Sequence, residues 1–145
     1  MGMEIVMISG ECAADRLFGT VFPKAGTVFV GDGAVIRAPE SVVILGRNGT
    51  ARVESALGVV VSGDGTLPEL PADIQLITCG SGAKNTVSFS SSTEAWITLS
   101  LNRSMRTATG ICDPLELPVP KTGGFDEYDH MAAFAAALLL GNVPI

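Results

Sequence analysis

The residues of this chain best suited to chemistry lie in a glycine-rich turn, CGSGAKNT, at positions 79–86. An apolar run that predicts a buried strand precedes the turn. In α/β sheets ligands bind beyond the ends of such strands, where backbone amides and polar side chains are free. The sequence therefore predicts a site for a small anion or a nucleotide, with the candidate residues Gly80, Ser81, Gly82, Lys84, Asn85, Thr86, Asp64 and Arg103.

This turn does not match the phosphate-binding P-loop, in which Gly-Lys-Ser/Thr closes the motif. Here Lys84 follows Ala83 and precedes Asn85, so the spacing fails. An alternating segment follows the turn, which removes the helix N-terminus that contributes to anion binding. A plain glycine-rich connection between two strands is the alternative interpretation.

A small enzyme is the alternative function. Cys79 at a strand end is a candidate nucleophile and would need His130, the single histidine, as its base. We expect His130 on the surface of a C-terminal helix instead. Asp32 and Asp64 each lie between glycines after a predicted strand and could act as a general acid and base or hold magnesium. Both are also ordinary turn residues.

Metals, cofactors and nucleic acids are not indicated. The three cysteines are widely spaced and form no CxxC pair, so the sequence predicts reduced thiols and no metal site. No cofactor motif is present. The net charge is −6, and no basic run is available to neutralise phosphates, which argues against nucleic acid as a partner.

The composition indicates extensive burial. Of 145 residues, 47 % are hydrophobic and only 17 % are charged, which suits one domain, residues 1–145, with a large core and a subunit interface. The longest apolar run, residues 131–140, is about half of the ~20 residues that a membrane span needs. The start of the chain carries Glu4 where a signal peptide needs basic residues. We therefore expect a cytoplasmic, self-associating protein without membrane attachment.

Periodicity predicts a series of strands, with one helix near the start of the chain and another at its end. Apolar or β-branched runs predict strands at residues 4–9, 27–30, 42–45, 57–61 and 74–78, and a helix is expected within residues 11–22. Asn48-Gly49 indicates a hairpin turn. Alternation at residues 87–101 predicts an antiparallel hairpin, and the prolines around residues 115–119 predict an edge strand. Acidic residues at 126–129, an alanine- and leucine-rich run and Gly141 predict a buried C-terminal helix.

These elements together predict a single three-layer α/β or α+β domain. It would have a mixed sheet, an antiparallel hairpin in its second half and the buried C-terminal helix. Short connections leave little room for crossover helices, so which strand pairs are parallel stays open.

The second half of the chain resembles small uncharacterised Firmicutes proteins related to the C-terminal, Rossmann-like domain of the Mur ligases. The resemblance covers roughly the last 90 residues and rests on Thr78, Gly80, Lys84, Thr86, Val87, Ser90, Ser91, Leu101 and Arg103. An "Asn-x-Asp-Asp"-like strand end would fall on Ser62-Gly63-Asp64-Gly65, where this chain departs from the pattern. Because the chain has no ATP-binding P-loop, the resemblance implies a ligand- or partner-binding module and not a ligase.

Overall fold

The computed structural model describes residues 4–142 and shows a mainly β protein, with 46 % of residues in strands and 12 % in helices. One eight-stranded sheet dominates it, beside a two-stranded ribbon and one α-helix. The strands are β1 Ile5–Ser9, β2 Gly26–Val30, β3 Val35–Leu45, β4 Arg52–Ser62, β5 Leu76–Cys79, β6 Val87–Ser92, β7 Trp96–Leu101, β8 Met105–Thr107, β9 Gly110–Cys112 and β10 Leu115–Pro120. The helix α1 spans Glu127–Leu139, and a short 3-10 helix spans Ala14–Leu17.

The strand order in the large sheet is β10-β7-β6-β5-β4-β3-β1-β2. Neighbouring strands from β2 to β6 run parallel, whereas β7 is antiparallel to both β6 and β10. β8 and β9 form the separate ribbon. The predicted hairpin, which is β6–β7, and the predicted edge strand, which is β10, are both confirmed.

The long strands β3 and β4 coil back over themselves. Their register shifts between Ala38 and Val42, which marks a bend in each strand. Residues from both sides of the bends then share one buried cluster, formed by Ile36, Val43, Val53, Val59, Val61 and Ile74. We call residues 35–38 of β3 and 52–56 of β4 the first arms, and residues 42–45 and 58–62 the second arms. The first arm of each strand thus packs against the second arm, as in one turn of a β-solenoid.

This coiling explains how short loops can join parallel neighbours. Val35 pairs with Arg52 and Val59 pairs with Leu76, so the partner lies 17 residues further along the chain in both pairs. Between β3 and β4 the chain returns through the first arm of β4, and between β4 and β5 it returns through the irregular segment 63–75. In α/β proteins a crossover helix performs this task.

The other face of the sheet is covered by α1. Alternate residues of the second arms, among them Val42, Ile44 and Val60, join the helix in the main core cluster. Every helix residue from Asp129 to Leu139 is buried by the chain itself. The buried C-terminal helix is therefore confirmed, and a partner subunit is not needed to cover it.

Several expectations are wrong. The fold is a β-solenoid-like sheet with one helix and not a three-layer α/β or α+β domain, so the Rossmann-like, Mur ligase-like architecture is wrong as well. Asn48-Gly49 does not close a hairpin, because β3 and β4 are parallel. Of the helix expected within residues 11–22, only the 3-10 helix is present. The fold class was wrong because β3 and β4 each bend, and the periodicity of the sequence does not reveal these bends.

Candidate functional site

The turn predicted as a ligand site connects β5 to β6 and is held by its own hydrogen bonds. The amide of Asn85 donates to the carbonyl of Gly82 (3.0 Å), and the amide of Thr86 donates to Thr78 Oγ1 (3.1 Å). Arg103 Nη2 donates to the carbonyl of Lys84 (2.8 Å). The structure thus brings Arg103 to this turn, where Ser81 and Lys84 are exposed and Gly80 and Thr86 are buried.

Asn85 has a packing role within this turn. Its side chain is 3 % exposed and lies against Gly63, where an added Cβ would come within 1.9 Å of Asn85 Oδ1. Gly63 in turn donates its amide to the carbonyl of Cys79 (2.9 Å). These contacts place the turn of Asp64 beside the turn of Lys84, so the predicted site residues are neighbours, although Asn85 itself is not available to a ligand.

Asp32 and Asp64 do not form a pair. Asp32 follows β2 and Asp64 follows β4, and β1 and β3 lie between those strands in the sheet. Three strand spacings separate the strand ends by about 14 Å. Both residues are exposed, as turn residues normally are.

Cys79 and His130 do not form a nucleophile and base. Burial raises the pKa of the Cys79 thiol, which is 1 % exposed. His130 is fully buried, contrary to the expected helix-surface position. Its Nε2 accepts from the amide of Thr122 (3.1 Å) while its Nδ1 lies 2.8 Å from the carbonyl of Asp126, so the ring proton is on Nδ1 and both nitrogens are engaged.

A cleft of about 980 Å3 lies elsewhere, at the carboxyl ends of β1, β3 and β4. Three segments and the start of α1 form its walls: residues 11–13 after β1, 45–51 at the end of β3, 61–62 and 65–68 at the end of β4, and Asp126, Tyr128 and Asp129 at the helix start. None of the residues that line this cleft belongs to the predicted site, and the sequence indicated only a hairpin turn at Asn48-Gly49.

The first two loops are locked together by their backbones. Glu11 and Arg47 exchange two amide-to-carbonyl hydrogen bonds (2.8 and 2.9 Å), and Ser9 Oγ accepts from the amides of Thr50 and Ala51 (3.1 Å each). A Cβ at position 46 would lie 2.3 Å from the carbonyl oxygen of Glu11, so only glycine fits there. The protein's own contacts therefore hold this wall of the cleft in place.

The helix N-terminus contributes carboxylates that are already engaged. The Asp126 carboxylate caps α1 by accepting from the amide of Asp129 (2.9 Å), and the Asp129 carboxylate accepts from the amide of Asp126 (3.2 Å). Asp129 also accepts from the amide of Ala13 (3.0 Å) and from the Cys12 thiol (3.5 Å). Burial raises the pKa of Cys12 to about 12, which makes this thiol a poor nucleophile.

Tyr128 is held in the same way. Its hydroxyl donates to the carbonyl of Leu45 (2.9 Å), and burial raises its pKa above the ordinary value. By contrast, the side chains of Glu11, Arg47 and Asn48 make no hydrogen bond or ion pair within residues 4–142. The groups left free to meet a ligand are thus a guanidinium, a carboxylate and an amide on the two locked loops.

Comparisons with protein-family models, curated proteins and solved structures found no match for this chain. Nothing in them supports the resemblance to Mur ligase domains. Among the described residues, no group of three or more metal-ligating side chains comes together. No helix of residues 4–142 is long and apolar enough to cross a bilayer.

Proposed function

We propose that this chain is a non-catalytic binding module that takes a small anionic ligand in the cleft at the ends of β1, β3 and β4. The main support is the exposed guanidinium of Arg47, which lines the cleft and has no carboxylate partner within the described residues. A guanidinium matches carboxylate and phosphate groups with two parallel hydrogen bonds. The cleft volume of about 980 Å3 is in the range of small-molecule sites.

The charges of the cleft narrow the ligand class. Asp126 and Asp129 are engaged by backbone amides, but Glu11 lies on the backbone segment paired with Arg47 and is free. A carboxylate beside the guanidinium disfavours a polyanion and favours a ligand that joins one anionic group to hydrogen-bond donors. A nucleoside monophosphate, with its phosphate and ribose hydroxyls, has this character.

The non-catalytic assignment follows from the state of the reactive groups. Cys79 is buried with a raised pKa, His130 has both ring nitrogens engaged, and Cys12 and Tyr128 also have raised pKa values. An acyl- or phosphoryl-transfer enzyme needs a nucleophile and a base within hydrogen-bond reach. Cys12, His130 and Tyr128 instead make hydrogen bonds that hold neighbouring segments together, and Cys79 packs in the core.

A second candidate site for the same ligand is the turn of residues 80–86. It is supported by Arg103, whose guanidinium donates to the backbone carbonyl of Lys84, so that two cationic residues belong to this turn. The amides of Gly80, Asn85 and Thr86 already have hydrogen-bond partners in the protein, so the side chains of Lys84 and Arg103 would contribute most of the binding at this turn.

Amide chemical shifts in a titration with adenosine monophosphate separate the two sites. We expect shifts at Glu11 and at residues 46–50, and weaker binding in Arg47→Ala by about ten- to a hundredfold, as for a lost charged hydrogen bond. Lys84→Ala is the matched control and should bind as the native chain does. Shifts confined to residues 80–86, lost in Lys84→Ala, would move the site to the turn. No shift at millimolar ligand would overturn the proposal.

A cytoplasmic location is part of the same proposal. All three cysteines are free, and Cys12 and Cys79 are held in the interior as thiols. Free structural thiols are typical of reducing compartments.

A further inference from the structure

The two edges of the large sheet differ in how they are protected. The β10 edge contains Pro118 and Pro120, which have no amide hydrogen to offer to an added strand. The β2 edge, with the sequence GTVFV, contains neither a proline nor a charged residue. Natural sheets usually protect a free edge with such residues, so β2 is the edge at which another strand can be added.

The direction of the free hydrogen-bonding groups on β2 follows from one bond. The amide of Gly26 donates to the carbonyl of Glu4 next to β1 (2.9 Å). Residues of a parallel strand turn their amide and carbonyl alternately to one neighbour and the other. Gly26, Val28 and Val30 therefore face β1, whereas the amides and carbonyls of Thr27 and Phe29 face outward.

The side chains at this edge are also open. Phe29 is 61 % exposed and Val28 is 43 % exposed, on opposite faces of the strand. A strand added at this edge would place its own side chains beside Val28 on one face of the sheet and beside Phe29 on the other.

We propose that two copies of this chain associate through antiparallel pairing of β2 with β2, centred on Val28. In this register Thr27 lies opposite Phe29 of the second copy. The outward amides and carbonyls of these residues then form four hydrogen bonds between the chains. The charges that flank β2 agree with this register, because it places Lys24 opposite Asp32 of the second copy and both residues are exposed. The charge complementarity identifies the added strand as a second copy of this chain.

The protected β10 edge limits the assembly to two copies. Pairing of β2 with β10 would be head-to-tail and would extend without end, and the prolines of β10 oppose it. Pairing of β2 with itself is two-fold symmetric and uses up both free edges, which leaves a closed dimer with a sixteen-stranded sheet from two copies of the eight-stranded one.

Sedimentation velocity over a concentration series tests the proposal. The native chain is expected to dimerise, and Phe29→Lys, which places a charge on the edge, is expected to remain a monomer with an unchanged far-ultraviolet spectrum. Ile111→Lys is the matched control, since Ile111 is 66 % exposed but lies on the separate ribbon, and it should dimerise normally. A native chain that stays monomeric, or a dimer that Phe29→Lys leaves intact, would overturn the proposal.

Charge reversal tests the register. Lys24→Asp and Asp32→Lys should each weaken the dimer by roughly two- to thirtyfold, because each places like charges opposite each other twice in the interface. The double variant Lys24→Asp/Asp32→Lys restores opposite charges and should recover the native dissociation constant. Losses that simply add in the double variant would rule out this pairing.

Discussion

At single residues, the polar side chains in the interior of this protein fasten loops to one another. Asp129 joins the loop after β1 to the start of α1, His130 joins that helix to Thr122, and Asn85 fills the space beside Gly63. No buried side-chain nitrogen or oxygen of the described residues lacks a hydrogen-bond partner. Buried polar groups that are fully paired fix one arrangement of the loops.

The thiols provide a prediction at this scale. Iodoacetamide at pH 7 should label Cys112 first, because it is only partly buried. Cys12 should follow slowly, since burial raises its pKa to about 12, and Cys79 should be slowest because it is buried. Peptide mass spectrometry over time measures the order, and all three should react alike in denaturant. Labelling of Cys79 faster than a free model thiol, with a pKa of about 8.5, would bring back the enzyme alternative.

The ion pair between Lys121 and Glu127 predicts a dependence of stability on pH. Lys121 Nζ lies 2.6 Å from Glu127 Oε2 and 2.7 Å from Ser92 Oγ, and the bond from Lys121 lowers the pKa of Glu127. A carboxyl with a lowered pKa in the folded state stabilises the protein above its unfolded pKa of about 4.3, and this contribution is lost as the pH falls through the folded value.

We therefore expect Lys121→Met to lower the unfolding free energy at pH 7 by about 0.2–1 kcal/mol, the range of partly exposed pairs. The difference from the native chain should shrink as the pH falls below about 4. Urea unfolding at several pH values measures it. Lys84→Met removes a charge that forms no ion pair among the described residues and should show no such trend. A loss that is constant with pH would contradict the assignment.

At the scale of the elements, the close approach of two loops shapes the cleft. The segments after β1 and β3 exchange backbone hydrogen bonds, and Gly46 is one of the positions there at which no side chain fits. Gly65 also lines this cleft, in the loop after β4, and has open space around it. Both glycines line the cleft, but an added methyl group would meet backbone atoms at Gly46 and open space at Gly65.

Gly46→Ala should lower the unfolding free energy by at least about 1–3 kcal/mol, because the added methyl meets backbone atoms that cannot rotate away. Gly65→Ala should change it by less than about 0.5 kcal/mol. Urea unfolding of both variants gives the comparison. Equal stability of the two variants would show that the loops are not locked as described.

For the whole molecule, α1 is the part that unites the coil of β3 and β4 with the second half of the sheet. It contacts strands from both regions, and eleven consecutive residues, Asp129 to Leu139, are buried. A small β protein with one covering helix has a single main core, so damage to the helix should affect the entire fold.

Leu139→Asp should therefore unfold the protein. Leu139 is fully buried, and an unpaired carboxylate there costs several kcal/mol of a total stability of about 5–15 kcal/mol. Circular dichroism and thermal melting measure the loss. Leu67→Asp, at a position that is 47 % exposed, is the control and should melt near the native temperature. An unchanged melting temperature in Leu139→Asp would show that the helix is dispensable.

The local pattern of residues was sufficient for most individual elements. Alternation predicted β6 and β7, prolines predicted that β10 lies at an edge, and capping residues with an apolar run predicted α1. Each of these signals acts over a few neighbouring residues, through side-chain alternation, a missing amide hydrogen or a helix cap. Such signals do not depend on contacts with distant parts of the chain, so they can be recognised in the sequence alone.

Only the tertiary structure decided how the elements are arranged. Asn48, with a φ of 61°, suits a tight turn, yet the strands on either side of it run parallel because each bends and pairs 16 to 18 residues further on. The cleft likewise depends on the approach of residues 10–12 to residues 46–50, which are far apart in sequence. Pairings between residues so far apart in sequence depend on the packing of the whole core, so local periodicity cannot predict them.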